Sequence, residues 1–226
     1  MSRFRSLLIK PELKYSRLKY FLAAIISVVI WGFFAIPLRK IQAFPAQEIL
    51  YYRIFTSLIL TWVFISLFRR KKLKADIAYL RSENKSSRKK IIGLGFLAGI
   101  LITGNWFTYI YAVNNVSLKS AAFAYMVCPL ITAVSGFLIL KESLSRLKLV
   151  ALGIAMGSIL ILAQGSLREV LWSVFVAALY SFYLTIQKVL TGIDKFNLLG
   201  VHLIIATLLM LPFFLFQFKS IPQDQD

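Results

Sequence analysis

Apolar residues along this chain fall into unbroken blocks, with neither the two-residue alternation of a half-buried strand nor the narrow stripe of a surface helix. Seven blocks stand out, at about 20–38, 49–68, 91–113, 120–140, 147–164, 170–187 and 198–218. Each is close to the ~20 residues a helix needs to cross a hydrocarbon layer about 30 Å thick. In lipid the backbone must satisfy its own N–H and C=O groups, so the blocks are expected to be helices. The pattern predicts an all-α polytopic membrane protein of about seven transmembrane helices. Polar segments frame them: a basic tail over 1–19, a charged, Ser-rich stretch over 69–90 that reads as a plain connecting loop, and a polar tail over 219–226.

Composition points the same way, with 59% of 226 residues hydrophobic against about 45–50% in soluble domains. The net charge of +18 would suit a nucleic-acid binder, but its placement follows the membrane. Six Lys and Arg lie in the N-terminal tail, ten in 69–90 and three in 141–148, with Lys188 and Lys195 on the same side. Arg39, Lys40, Lys119, Arg168 and Lys219 fall on the other. The positive-inside rule then puts the N-terminus in the cytoplasm of a multi-pass inner (plasma) membrane protein. No nucleic-acid partner is expected; membrane lipids are, with the basic segments touching anionic headgroups as a secondary effect. The N-terminal stretch lacks the apolar core and cleavage site of a removable signal, so the first span is expected to direct insertion. The single Cys128 permits no intrachain disulfide.

Polar residues inside the blocks carry the candidate chemistry. Asn105 and Trp106 stand near the middle of the third span, and helical spacing puts Tyr109 on the Asn105 face and Trp106 on the Gly95/Gly99 face. An amide in hydrocarbon needs a partner. Two readings follow: an interhelical hydrogen bond that ties the bundle, or a cavity wall in which Asn105 holds a polar group of a solute and aromatic rings cover its apolar part. Trp31, Tyr180 and Pro129 lie within about a turn of their span centres. Arg53 is the one basic residue placed inside a span, and an intramembrane cation is by default a substrate or gate candidate that needs an anionic or carbonyl partner from another helix. Lys188 reads as a snorkelling anchor, and the lone His202 as a packing residue or a proton relay. Glu48, just after Pro45, suits the first turn of the second span. Asn114 and Asn115 are expected to close the third span, and Pro37 and Pro129 to bend theirs. Gly95/Gly99 and Gly153/Gly157 have the small-xxx-small spacing of tight packing. No P-loop, His-Glu-x-x-His or Gly-x-Ser-x-Gly pattern occurs, so no enzyme, cofactor or metal site is expected.

Laid against itself at an offset of 149, the chain pairs Trp31 with Tyr180, Arg39 with Lys188 and Arg53 with His202. The paired spans run in opposite directions, as an inverted repeat requires. On this reading 20–164 is a complete five-helix repeat and 165–218 holds the first two helices of an inverted second one. The motifs "IWG" in span one, "EILYYR" opening span two, "GNW…AVNN", "AY…PL" around Tyr125 and Pro129, "LKESLS" and "QKVL" together resemble the RarD-type, or chloramphenicol-sensitive-protein, permeases of the EamA-like drug/metabolite transporter superfamily. The resemblance implies ten helices in two inverted repeats around a central cavity, and alternating-access transport of a small organic metabolite or drug-like solute. It implies a substrate site drawn from Trp31, Arg53, Asn105, Trp106, Tyr109, Tyr125 and Tyr180. Against the family pattern the sequence has three helices fewer, Ala206 in place of a glutamate and Cys128 in place of an asparagine. Those departures raise an alternative: a truncated, transport-inactive remnant, or half of a split or oligomeric transporter completed as a homodimer or by a partner that supplies the missing half.

Overall fold

The structure is a computed structural model that describes residues 11–41, 43–163 and 166–217. Residues 1–10 of the basic tail and the C-terminal tail over 219–226 lie outside them. Six helical stretches are long and apolar enough to cross a membrane among the described residues: Leu18–Lys40, Ala46–Phe68, Lys85–Val116, Leu118–Leu140, Leu167–Val189 and Lys195–Phe216. They answer to six of the seven predicted spans. The seventh, at 147–164, is the 18-residue helix Arg146–Ala163. The protein is all-α and polytopic.

The chain divides into two units, Met1–Ile41 and Gln42–Asp226. The first holds α1 (Pro11–Phe33) and α2 (Ala35–Lys40), interrupted at Phe34. The break lies where Pro37 dictates, since its ring has no N–H to donate and collides with the carbonyl four residues earlier, at Phe33.

The second unit contains α3 (Ala46–Phe68), α4 (Arg70–Ser82), α5 (Lys85–Tyr111), α6 (Leu118–Leu140), α7 (Arg146–Ala163), α8 (Leu167–Val189) and α9 (Lys195–Gln217). α5 is its central helix, packed on both α8 and α9, while α6 lies along α8 and α3 along α9. Small side chains permit these approaches. A Cβ added at Gly99 would stand 2.8 Å from Ile205 Cδ1, 3.0 Å from its Cγ2 and 3.1 Å from its Cβ, so Gly99 packs tightly against α9, whereas one at Gly95 would meet only Leu198 Cδ1, at 4.0 Å. Gly153 and Gly157 have nothing within 4 Å, and tight packing there is not found among the described residues.

The α6–α8 contact uses hydroxyls instead of glycine. Ser173, Ala177, Ser181 and Thr185, four residues apart on α8, present one stripe of small residues, three of them hydroxylated. Ser173 Oγ donates to the Ser120 carbonyl at 2.8 Å, Ser181 Oγ to the Cys128 carbonyl at 2.9 Å, and Thr185 Oγ1 meets Ser135 Oγ at 2.7 Å. Such bonds replace the hydrophobic drive that lipid does not supply. Pro129 stays inside an unbroken α6, and the third span closes in a π-helical turn over Ala112–Val116.

The expectation of a plain connecting loop is overturned. The stretch 69–90 is not a plain loop but α4 followed by the first turns of α5, capped where Asn84 Oδ1 accepts from the Ser87 N–H at 2.8 Å. Its Lys, Arg, Ala and Leu residues are good helix formers, and it contains neither Gly nor Pro. Leu73, Ile77 and Leu80 recur on one face. Two carboxylates hold α4 to the start of α9. Asp194 accepts from Arg69 Nη2 at 2.7 Å on both oxygens, and its Oδ1 caps α9 by accepting from the Phe196 and Asn197 N–H groups at 3.0 and 3.3 Å. Asp76 accepts from Asn197 Nδ2 at 2.6 Å and from the Asp194 N–H at 3.2 Å. Burial alone would raise the Asp194 carboxyl, but the Arg69 hydrogen bond and the two backbone donors outweigh it and hold it below its ordinary 3.8.

Candidate functional site

Five of the predicted site residues come together in the second unit. The Arg53 guanidinium of α3 lies over the Trp106 ring of α5, 5.2 Å from its centroid, within cation–π range. One turn further along α5, Tyr109 meets Tyr125 of α6 edge-on at 5.2 Å, and Tyr125 meets Tyr180 of α8 at 5.8 Å. The contacts continue past the predicted set, with Tyr180 stacked on Tyr183 at 5.9 Å and Tyr183 edge-on to His202 of α9 at 5.5 Å.

This run of rings is oblique to the helices. At 1.5 Å per residue, Arg53 and Tyr125 lie about 10 Å from the Ala46 and Leu118 ends of α3 and α6, whereas His202 lies about 10 Å from the opposite, Lys195 end of α9. The Arg69–Asp194 ion pair fixes that sense, because it joins the last turn of α3 to the first of α9. The contacts therefore pass from one side of the bundle towards the other.

Asn105 is elsewhere on α5. It is 1% exposed, and its Nδ2 donates to the Val176 carbonyl of α8 at 2.9 Å. Its Oδ1 is buried without a hydrogen-bond partner among the described residues. Trp31 belongs to the N-terminal unit, on α1, with its ring tilted against Phe34 at 5.2 Å. Lys188 pairs with Glu142 at 3.1 Å at the end of α8. His202 is fully buried.

Residues 18–164 match the model of the EamA-like transporter family, which is more than half of the chain. The chain belongs to the EamA-like transporter family. Among curated relatives this EamA-like chain is similar to the uncharacterized transporter YojE of Bacillus subtilis, with 40% identity covering 61% of this chain and 45% of YojE. It is similar to the protein RarD of Streptomyces exfoliatus, at 31% identity over 70% of this chain and 48% of that protein. It is also similar to the protein RarD of Escherichia coli, at 30% over 62% and 45%. The chain thus spans about half the length of the curated relatives it matches. No solved structure matches significantly.

Two features of this EamA-like bundle escaped the sequence reading. Tyr183 extends the aromatic run from its position three residues after Tyr180, on the same helical face. The Ser173–Ala177–Ser181–Thr185 stripe has a signal of its own, four small residues at a spacing of four, which differs from a pair of glycines.

Proposed function

We propose that this chain contributes the solute pathway of a secondary transporter, which moves a small organic solute across the inner membrane by alternating access with its N-terminus in the cytoplasm. The observation that carries the reading is the cation–π pair of Arg53 and Trp106 beside the Tyr109–Tyr125–Tyr180 contacts. An arginine inside a span is costly to hold and is found where solutes or ions pass. Aromatic rings around a cation suit a solute with a flat apolar body and an anionic or acceptor group. In this reading Arg53 binds the polar group, and Trp106, Tyr109, Tyr125 and Tyr180 cover the body. Asn105, whose amide donor is engaged by Val176, positions α5 against α8.

The family match over 18–164 supports treating 20–164 as one five-helix repeat and 165–218 as part of a second. An uptake screen in membrane vesicles tests the reading, comparing the chain alone, the chain with further helices to a total of ten, and Arg53→Ala in whichever form transports. Uptake that Arg53→Ala abolishes at unchanged membrane abundance is expected. Normal uptake by Arg53→Ala would discard the site.

A further inference from the structure

Between α4, α5 and α9 runs a groove of about 250 Å³. Leu73, Ile77 and Leu80 of α4 form one wall, Ile92 and Phe96 of α5 the second, and Val201 of α9 stands in the third. Ile92 is 57% exposed and Phe96 52%, so the groove opens outward from the bundle, where a membrane supplies lipid. Its depth in the membrane follows from α5. That helix starts "KSSRKK" and is apolar from Ile91 onward, which sets the boundary between headgroups and hydrocarbon at the groove.

Charge at this level is strongly one-sided. Residues 69–90 carry ten Lys and Arg against Asp76 and Glu83. Asp76 is engaged with Asn197 and the Asp194 backbone, and Asp194 with Arg69. Helical spacing puts Arg81 one turn beyond Ile77 and Arg88 one turn before Ile92, both exposed, beside the turn that joins α4 to α5. By their places on α4 and α5, Arg81 and Arg88 belong to the polar end of the apolar slot. Guanidinium binds phosphate oxygens in a two-pronged fashion. A packed helix, about 10 Å across with its side chains, is too wide for the space.

We propose that this groove is a binding site for one anionic phospholipid, with an acyl chain lying between α5 and α9 beneath α4 and the phosphate held by Arg81 and Arg88. No ring of the aromatic run lines the groove, and the site does not depend on transport. It gives the latched α4 helix a purpose: the Asp194 and Asp76 contacts keep its apolar face over the slot.

Native mass spectrometry of the full chain in detergent tests this, with phosphatidylglycerol and phosphatidylcholine of identical acyl chains as probes. The unaltered chain is expected to retain phosphatidylglycerol preferentially. The double substitution Arg81→Gln, Arg88→Gln should reduce that preference about thirtyfold, the effect of two basic residues near an anionic surface, while Arg81→Lys, Arg88→Lys keeps most of it. Filling the slot with Val201→Trp, or from the opposite wall with Ile92→Trp, should abolish retention at an unchanged helical circular dichroism signal, and having both variants guards against one of them misfolding. Equal retention of the two lipids by the unaltered chain overturns the site. So does phosphatidylglycerol retention that survives filling of the slot, which would reduce the effect to surface charge alone.

Discussion

At the scale of single residues, Gly99 marks a close approach of α5 to α9. The atoms nearest a new Cβ there include Ile205 Cβ and Cγ2, at 3.1 and 3.0 Å, which cannot swing aside as a flexible side-chain end would. Gly99→Ala is therefore expected to destabilise by about 1–3 kcal/mol, as overpacking does. Asn105→Ala, which removes one interhelical hydrogen bond, should cost about 0.6 kcal/mol. Thermal unfolding in detergent checks the order, and an Asn105→Ala loss larger than that of Gly99→Ala would contradict it. The close approach at Gly99 was legible from spacing, whereas Gly95 four residues earlier has only an ordinary contact with Leu198. That Asn105 bonds across to Val176 was not legible, because spacing gives a direction around a helix and not the neighbour standing there.

At the scale of elements, α4 shows where the reading of hydropathy fell short. A charged segment between two apolar blocks reads as a connector, yet its helix-forming residues and the Leu73–Ile77–Leu80 face make an amphipathic helix once α5 and α9 offer it a surface. The Arg69–Asp194 pair joins residues 125 apart in the chain, and no local pattern could announce it. The pair makes a pH prediction. Asp194 titrates below 3.8 in the folded protein, so its contribution is complete above that value and is lost only as pH falls through the lower, folded one. Hydrogen exchange of the α4 amides should therefore show constant protection from pH 7 to about pH 4, after correction for the intrinsic rate, and loss below it. Loss that begins between pH 7 and 5 would show that another group holds α4.

At the scale of the whole molecule, the helical, polytopic class and most span positions followed from block length, because lipid leaves a buried backbone few alternatives. The break at Phe34 followed from Pro37. The aromatic run did not follow, since Tyr109, Tyr125, Tyr180 and Tyr183 come from three helices whose mutual rotation only packing decides. The central claim is that this run faces a path open to water-borne solutes. The most direct test is thiol accessibility in native membranes, with Cys128→Ser as background and a membrane-impermeant methanethiosulfonate reagent applied to Tyr125→Cys. Lipid-facing Phe213→Cys, 55% exposed in the native residue, serves as the control. The solute-path reading predicts that Tyr125→Cys is modified and Phe213→Cys is not; a Tyr125→Cys thiol that reacts only with a lipid-soluble maleimide would contradict it.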